Sequence, residues 1–343
     1  MISKIISNNS ICKVKELLDK YDKIVITTHV SPDGDAIGSS LGLYHYLNDL
    51  GNNVTIVVPN NFPSFLKWPK GAKEILVYEK YPEFAQKLID EAQLIFCLDF
   101  NTPKRTHEIA PFLEASGAKK ILIDHHPDPA DFCDVVISHP EVSSTSELIF
   151  QVICRMGDFN MMSKSCAEAI YMGMMTDTGA FTYNSNSAQI YYVIGELLKK
   201  DINKDQIYAN VYNNYSENRY RMLGFTLVER MKVYREHKTA LVWLNKSDQL
   251  RFQAQKGDTE GFANLPLNIS NIIFAVFIRE DNDLIKISFR SQGDFPANKF
   301  ASECYNGGGH LNAAGGEFKG TLAEAIAIFE EALPKYTDLL NQK

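Results

Sequence analysis

Long apolar runs are missing from this chain. Stretches such as 272–278 fall well short of the roughly 20 residues a membrane helix needs, so no membrane partner is expected. The opening MISKIISNNS lacks the apolar centre of a signal peptide. Basic excess is missing too: 35 Lys and Arg stand against 42 Asp and Glu, a net charge of −7. That argues against coating long nucleic acid, which leaves a basic footprint. A small anionic substrate stays open, because bound divalent cations reverse the local field. Cysteine pairing is missing as well. Cys12, Cys97, Cys133, Cys154, Cys166 and Cys304 form no C-x-x-C and sit mostly among apolar neighbours. They read as reduced core thiols of a cytoplasmic protein. There is no internal repeat and no low-complexity segment.

What is present is enough apolar material, 45% of 343 residues, for two packed cores. Residues 23–28 (KIVITT) read as a buried strand ending in His29-Val30-Ser31-Pro32-Asp33-Gly34-Asp35. Ile37, Leu41, Tyr44 and Leu47 then recur at helical spacing. Strands at 52–58, 94–98 and 120–123 alternate with helices near 12–22, 82–92 and 105–116. This predicts βαβ units and an α/β fold: a doubly wound, mostly parallel sheet with helices on both faces. The glycine pair Gly38 and Gly42 predicts close approach of a helix to the sheet. Phe62, Phe65 and Trp68 in the 60–71 loop pack on the domain or stack on a base.

Helices follow at 145–156, 163–175 and 187–200, then a Tyr/Asn-rich stretch. Strands at 228–234, 239–244, 271–278 and 284–289, with helices near 247–255, 297–304 and 321–333, predict a smaller C-terminal α+β domain. The hairpin loop joining the last two strands is 279–283. The expected division is 1–185 and 223–343, with a helical linker over 186–222.

Three strand ends therefore carry His29/Asp33/Asp35, Asp99 and Asp124/His125/His126. A helical segment, Gly173 to Phe181, adds Asp177. In parallel sheets these ends share one edge, where ligands bind. Imidazole mixed with carboxylate and no thiolate fits Mn²⁺ first, with Mg²⁺, Fe²⁺ or Co²⁺ as substitutes. Four carboxylates nearly neutralise two divalent ions, and such a pair hydrolyses phosphoesters with an activated water.

The motifs H-x-x-P-D-G-D-A-x-G-S (His29 to Ser39), Asp99, D-H-H (Asp124 to His126) and G-x-x-T-D-T-G-x-F (Gly173 to Phe181) resemble the DHH phosphoesterases. Gly307-Gly308-Gly309-His310, Glu260-Gly261-Phe262 and Ser288-Phe289-Arg290-Ser291 resemble the DHH-associated domain of the RecJ-like branch. Length and the absence of added sensor domains make the chain most similar to the bacterial nanoRNase/pAp-phosphatase group.

The resemblance implies two Mn²⁺ ions: one held by His29, Asp33 and Asp99, the other by Asp35, Asp99, His125 and Asp177. It implies that Asp99 bridges them, that Asp124 orients its neighbours, and that His126 meets the scissile phosphate or protonates the leaving oxygen. Gly307, Gly308 and Gly309 would cradle a phosphate beside His310, and Arg290 would fork onto another. Asn306 departs from the family's four-glycine run. Arg279 and Arg105 stand open between solvated charge and substrate contact.

The activity implied is hydrolysis of short oligoribonucleotides (nanoRNA, pApA) and of 3′-phosphoadenosine 5′-phosphate, pAp. That is a phosphodiesterase and 3′(2′),5′-bisphosphate nucleotidase working in RNA degradation, with a homodimer allowed. The alternatives are an inorganic pyrophosphatase or exopolyphosphatase, a cyclic-dinucleotide phosphodiesterase, and a silent nucleotide-binding protein.

Overall fold

Strand β1 (Lys23–Thr27) lies at the centre of the first sheet. Its alternate residues face opposite ways, as strand geometry requires. Ile24 and Ile26 join one core, and Val25 joins the other. The computed structural model describes residues 5–255, 257–281 and 284–341. Strands β2 (Asn53–Val58), β3 (Leu76–Val77), β4 (Leu94–Leu98), β5 (Lys119–Asp124) and β6 (Val135–Ser138) complete the sheet. All of its pairings are parallel, in the order β3-β2-β1-β4-β5-β6. The order reverses between β1 and β4, and a crevice opens at such a switch point.

Helices α1 (Asn8–Lys20), α2 (Gly34–Asp49), α5 (Thr145–Met156), α6 (Lys164–Asp177), α7 (Ala188–Leu198) and α8 (Lys204–Tyr212) share the larger core with Leu94, Phe96, Leu98, Ile121 and Ile123. Helices α3 (Pro82–Glu91) and α4 (Ala110–Ala115) cover Ile95, Cys97 and Leu122 on the other face. Helices on both faces of a parallel sheet make this an α/β architecture.

Several expectations are corrected here. Strands β3 and β6 carry too few residues to stand out in a periodicity reading. Gly38 and Gly42 serve a helix rather than the sheet. A Cβ on Gly38 would lie 2.7 Å from Gly173 of α6, and one on Gly42 would lie 2.7 Å from Ile170. The 60–71 loop, by contrast, takes the packing alternative already expected for it: Phe62 is buried in the core, and Phe65 and Trp68 pack against it. The chain divides into two compact units between Asn214 and Tyr215. Within the expected linker 186–222, Ile190, Val193 and Leu197 of α7 and Ile207 and Val211 of α8 are buried in the first unit's core. The helices were expected there; their packing into the first core was not, because it depends on distant partners.

The second unit, Tyr215–Lys343, holds its own mixed sheet. Its strands are β7 (Met231–Tyr234), β8 (Thr239–Leu244), β9 (Phe274–Glu280), β10 (Ile285–Ser291), β11 (Gly308–His310) and β12 (Ala313–Phe318). The order is β11-β12-β10-β9-β8-β7, antiparallel except for the β8–β9 pair. Helices α11 (Ala297–Tyr305) and α12 (Leu322–Ala332) seal one face around Phe274, Phe289, Phe300 and Phe329. Helix α9 (Glu217–Glu229) packs Met222 with Val242, Leu244 and Phe277 on the other face. The short α10 (Lys246–Arg251) follows β8. The expected hairpin loop 279–283 includes Asn282 and Asp283, which lie outside the described residues. Strands β11 and β12 went unpredicted because a Gly/Ala-rich stretch has little strand propensity of its own; pairing of β12 to β10, and of β11 to β12, imposes it. Among the described residues, no helix is long and apolar enough to cross a membrane.

Candidate active site

The turn after β1 becomes a helix start because Asp33 caps it. Its Oδ1 accepts from the Asp35 and Ala36 amides, each at 3.0 Å. This leaves Asp35 on the first turn of α2, pointing inward and 1% exposed. Gly34 is obligatory there, since a Cβ would sit 2.2 Å from the Thr176 hydroxyl.

His29 closes the turn from the other side. Its Nδ1 lies 2.8 Å from the Val30 carbonyl, which can only accept, so the proton sits on Nδ1. Nε2 lies 3.4 Å from Asp99 Oδ2 and 3.9 Å from Asp33 Oδ1. Asp99, one residue past β4, takes the left-handed conformation at φ +65°, which Asp tolerates better than most residues. Its second oxygen, Oδ1, lies 3.6 Å from His125 Nε2 and 3.7 Å from His126 Nδ1. His125 Nε2 is also 3.5 Å from Asp177 Oδ2 and 3.9 Å from Asp35 Oδ2. His126 Nδ1 sits 2.7 Å from Asp124 Oδ1, so Asp124 fixes that ring. The ligating atoms of His29, Asp33 and Asp99 lie within 4.8 Å of one another, and so do those of Asp35, His125 and Asp177.

Packing this many acids together costs electrostatic energy. Burial raises the Asp35 carboxyl well above its usual range, with the Asp99 and Asp177 charges adding to it. Burial likewise raises Asp177, to about 7, despite the opposing effect of His125. Burial alone would lower His125, but Asp177, Asp99, Asp35 and Asp124 push it up to about 9. Asp99 goes the other way. Burial would raise it, yet the His29 hydrogen bond and the His126, His29 and His125 charges hold it well below the carboxylate range. His29 is raised on balance: burial lowers it, Asp99 and Asp33 raise it more, and the Arg105 charge opposes them. Repelling carboxylates beside imidazole nitrogens form a donor set suited to divalent cations once the imidazoles lose their protons. Asp33 and Asp177 side chains remain 48% and 27% exposed, so the cluster opens to solvent on their side.

One contribution escaped the sequence reading. The N-terminus of α5 clamps the cluster: the Thr145 and Ser146 amides donate to Asp35 at 2.6 and 2.8 Å, and the Thr145 hydroxyl donates to Asp99 Oδ1 at 2.9 Å. Ser144 caps this helix through the Glu147 amide. The S-x-x-E spacing of Ser144 and Glu147 signals a helix start. Nothing in it says that two distant aspartates meet there.

The second unit holds the remaining expected residues. Arg290 lies on the face of β10 opposite the buried Ile287 and Phe289, and its guanidinium donates to the Phe289 carbonyl at 2.8 Å. Gly307 and Gly309 are demanded by β12, since Cβ atoms would lie 2.0 Å from Gly315 O and 2.6 Å from Ala313 O. The Gly307 amide is already committed to Ala301 O. Gly308 is exposed, and a Cβ on it would meet nothing within 4 Å. His310 ends β11 opposite Ala313. Asn306 ends α11 at φ +49°, a left-handed position that Asn accepts in place of glycine. Arg279 is engaged by Thr259 and Asp281.

The sheet order, the histidine–aspartate cluster at its switch point and the glycine-histidine strand define a class, and the chain belongs to the DHH phosphoesterase family. Residues 23–174 match the DHH family N-terminal domain, and residues 241–342 match the DHHA1 domain. The bifunctional oligoribonuclease and PAP phosphatase NrnA of Thermus thermophilus is 30% identical, over 87% of this chain and 84% of that protein. Its Bacillus subtilis counterpart is 28% identical over 86% and 89%. The crystal structure of an exopolyphosphatase-related protein from Bacteroides fragilis is 56% identical and covers 99% of this chain and 100% of its own, with a TM-score of 0.96. RecJ from Thermus thermophilus in complex with Mn²⁺ shares the fold at 15% identity and a TM-score of 0.58, over 96% of this chain and 54% of RecJ.

Proposed function

We propose that the protein hydrolyses phosphoester bonds in short oligoribonucleotides and removes the 3′-phosphate of pAp, in the cytoplasm. The single observation carrying the mechanism is the split geometry of Asp99, whose Oδ2 faces His29 and whose Oδ1 faces His125. One carboxylate addressing two imidazoles suits two cation positions. His29, Asp33 and Asp99 would hold the first, and Asp35, Asp99, His125 and Asp177 the second, with Mn²⁺ favoured by the donor set. Such ions, when bound, neutralise phosphoryl oxygens and activate a water for in-line attack.

The chain's own residues do the rest. Thr145 fixes the Asp99 carboxylate, and the α5 amides fix Asp35. Asp124 holds His126 by Nδ1, and this ring would deliver a proton to the leaving oxygen as the phosphorus–oxygen bond breaks. Arg290 and His310 would bind a substrate phosphate, and Gly308 would let backbone approach it. The names of the NrnA relatives support this substrate class over others.

The test compares turnover of pAp, 5′-phosphorylated diribonucleotide, cyclic di-AMP and pyrophosphate with Mn²⁺ at equal concentration. A preference of about tenfold or more for the first two, roughly 1.4 kcal/mol in transition-state stabilisation, supports the reading. Preference for pyrophosphate would overturn the nucleotide assignment, and preference for cyclic di-AMP would move the protein toward the cyclic-di-AMP phosphodiesterases. The chain spans 49% of the length of those relatives.

A further inference from the structure

Arg105 is the one strongly basic side chain whose position the proposed roles leave unexplained although it bears on the cluster. It lies in the turn segment Pro103–Ile109, which follows Asp99 by a few residues. That segment folds back onto the end of β1: the Val30 amide donates to the Arg105 carbonyl at 2.8 Å, next to His29. Arg105 is half-buried. Among the described residues its guanidinium has neither a carboxylate within ion-pair distance nor a hydrogen-bond acceptor. A guanidinium partly removed from water without a partner is costly, and the charge of this one reaches the neighbouring His29. The Asp99 and Asp177 carboxylates are directed at His29 and His125 instead. The unpaired charge is instead accounted for by an anion that arrives with the substrate.

We propose that Arg105 is a catalytic residue that forks onto the non-bridging oxygens of the reacting phosphoryl group, where a planar bidentate donor matches the charge that grows in the transition state. This rests on the phosphoesterase reading above. Its place beside His29, in the same unit as the metal-ligand candidates, assigns it to the reacting phosphate. The second unit's Arg290 would serve a different one.

The experiment uses the full chain with Mn²⁺ and two substrates, pApA and bis(p-nitrophenyl) phosphate. The latter has no base and no second phosphate. Arg105→Ala should lower kcat about 100-fold on both, with KM changed less than about threefold, as expected for an interaction made in the transition state. Arg105→Lys, which keeps the charge and loses the fork, should fall between Ala and wild type. Mn²⁺ affinity, measured by calorimetry, should be unchanged or tighter, since a positive charge near the site is gone. A loss confined to pApA would place Arg105 on a non-reacting phosphate and overturn the proposal. So would retention of more than half the activity, or a parallel fall in metal affinity, which would make the residue structural. If Arg105→Ala does not fold, the Lys variant decides by the same criteria. Wild-type protein inert toward both substrates would sink the phosphoesterase reading itself, a result distinct from any of these.

Discussion

At the residue scale, Asp99 is where the site is most exposed to a single change. Both its oxygens are in use, and the Thr145 hydroxyl holds one of them. Asp99→Ala should abolish turnover and weaken metal binding; activity above a few per cent of wild type would end the bridging assignment. Thr145→Ala should act more gently. Loss of one hydrogen bond to a charged group is worth about 1.5–3 kcal/mol, so kcat/KM should drop roughly 10-fold or more, and Thr145→Ser should restore most of it. Steady-state kinetics on pAp measures both. Arg290→Ala should impair nucleotide hydrolysis while Mn²⁺ affinity stays put. Equal loss of both would make Arg290 a structural residue. His29, Asp33 and Asp35 were legible in sequence because a local turn brings them together. Asp99 was legible because an apolar strand ends on it. The Thr145 contact spans 46 positions to Asp99, and the Ser146 amide spans 111 to Asp35, so neither left a local trace.

At the scale of elements, the site depends on how closely α2, α5 and α6 approach. Gly173 of α6 faces α5 and the base of α2. A Cβ there would lie 1.9 Å from the Ser146 hydroxyl and 3.0 Å from Asp35 Oδ1. Gly173→Ala should therefore push α5 and α6 apart, costing about 1–3 kcal/mol of stability. The melting temperature should fall by several degrees, and Mn²⁺ affinity should fall with it because the α5 amides leave Asp35. Calorimetry of the metal-free and metal-loaded protein reads both effects, and an unchanged melting temperature would refute the packing argument. The glycines of G-x-x-T-D-T-G were visible as a motif. That Gly173 exists to admit a serine from another helix was not.

At the scale of the whole molecule, the cluster is a store of electrostatic repulsion that cations relieve. At neutral pH, His125, raised to about 9, carries a proton, and Asp177, near 7, carries one part of the time. The proposed ligation by His125 and Asp177 requires both to lose it, so metal binding should release protons. Affinity for Mn²⁺ should rise as pH climbs through about 7 and on to about 9, where competition from these protons ends. Titration calorimetry in buffers of different ionisation enthalpy counts the protons; none released would contradict the assigned ligand set. Bound metal should also raise the melting temperature, and a chelator should reverse the gain.

The sequence by itself determined the α/β class of the first unit, the strand ends that carry the histidine–aspartate cluster, and the family. These follow from patterns a few residues long: apolar strands, helical spacing, and histidines and aspartates in the turns after them. Tertiary structure alone decided which distant groups meet. It placed the α5 amides on Asp35, turned α7 and α8 from a linker into core, and made an edge strand of Gly308–His310. The physical reason is the same in each case. A hydrogen bond, a buried contact or a strand pairing made across many residues depends on where the partner folds, and a local pattern carries no record of that partner.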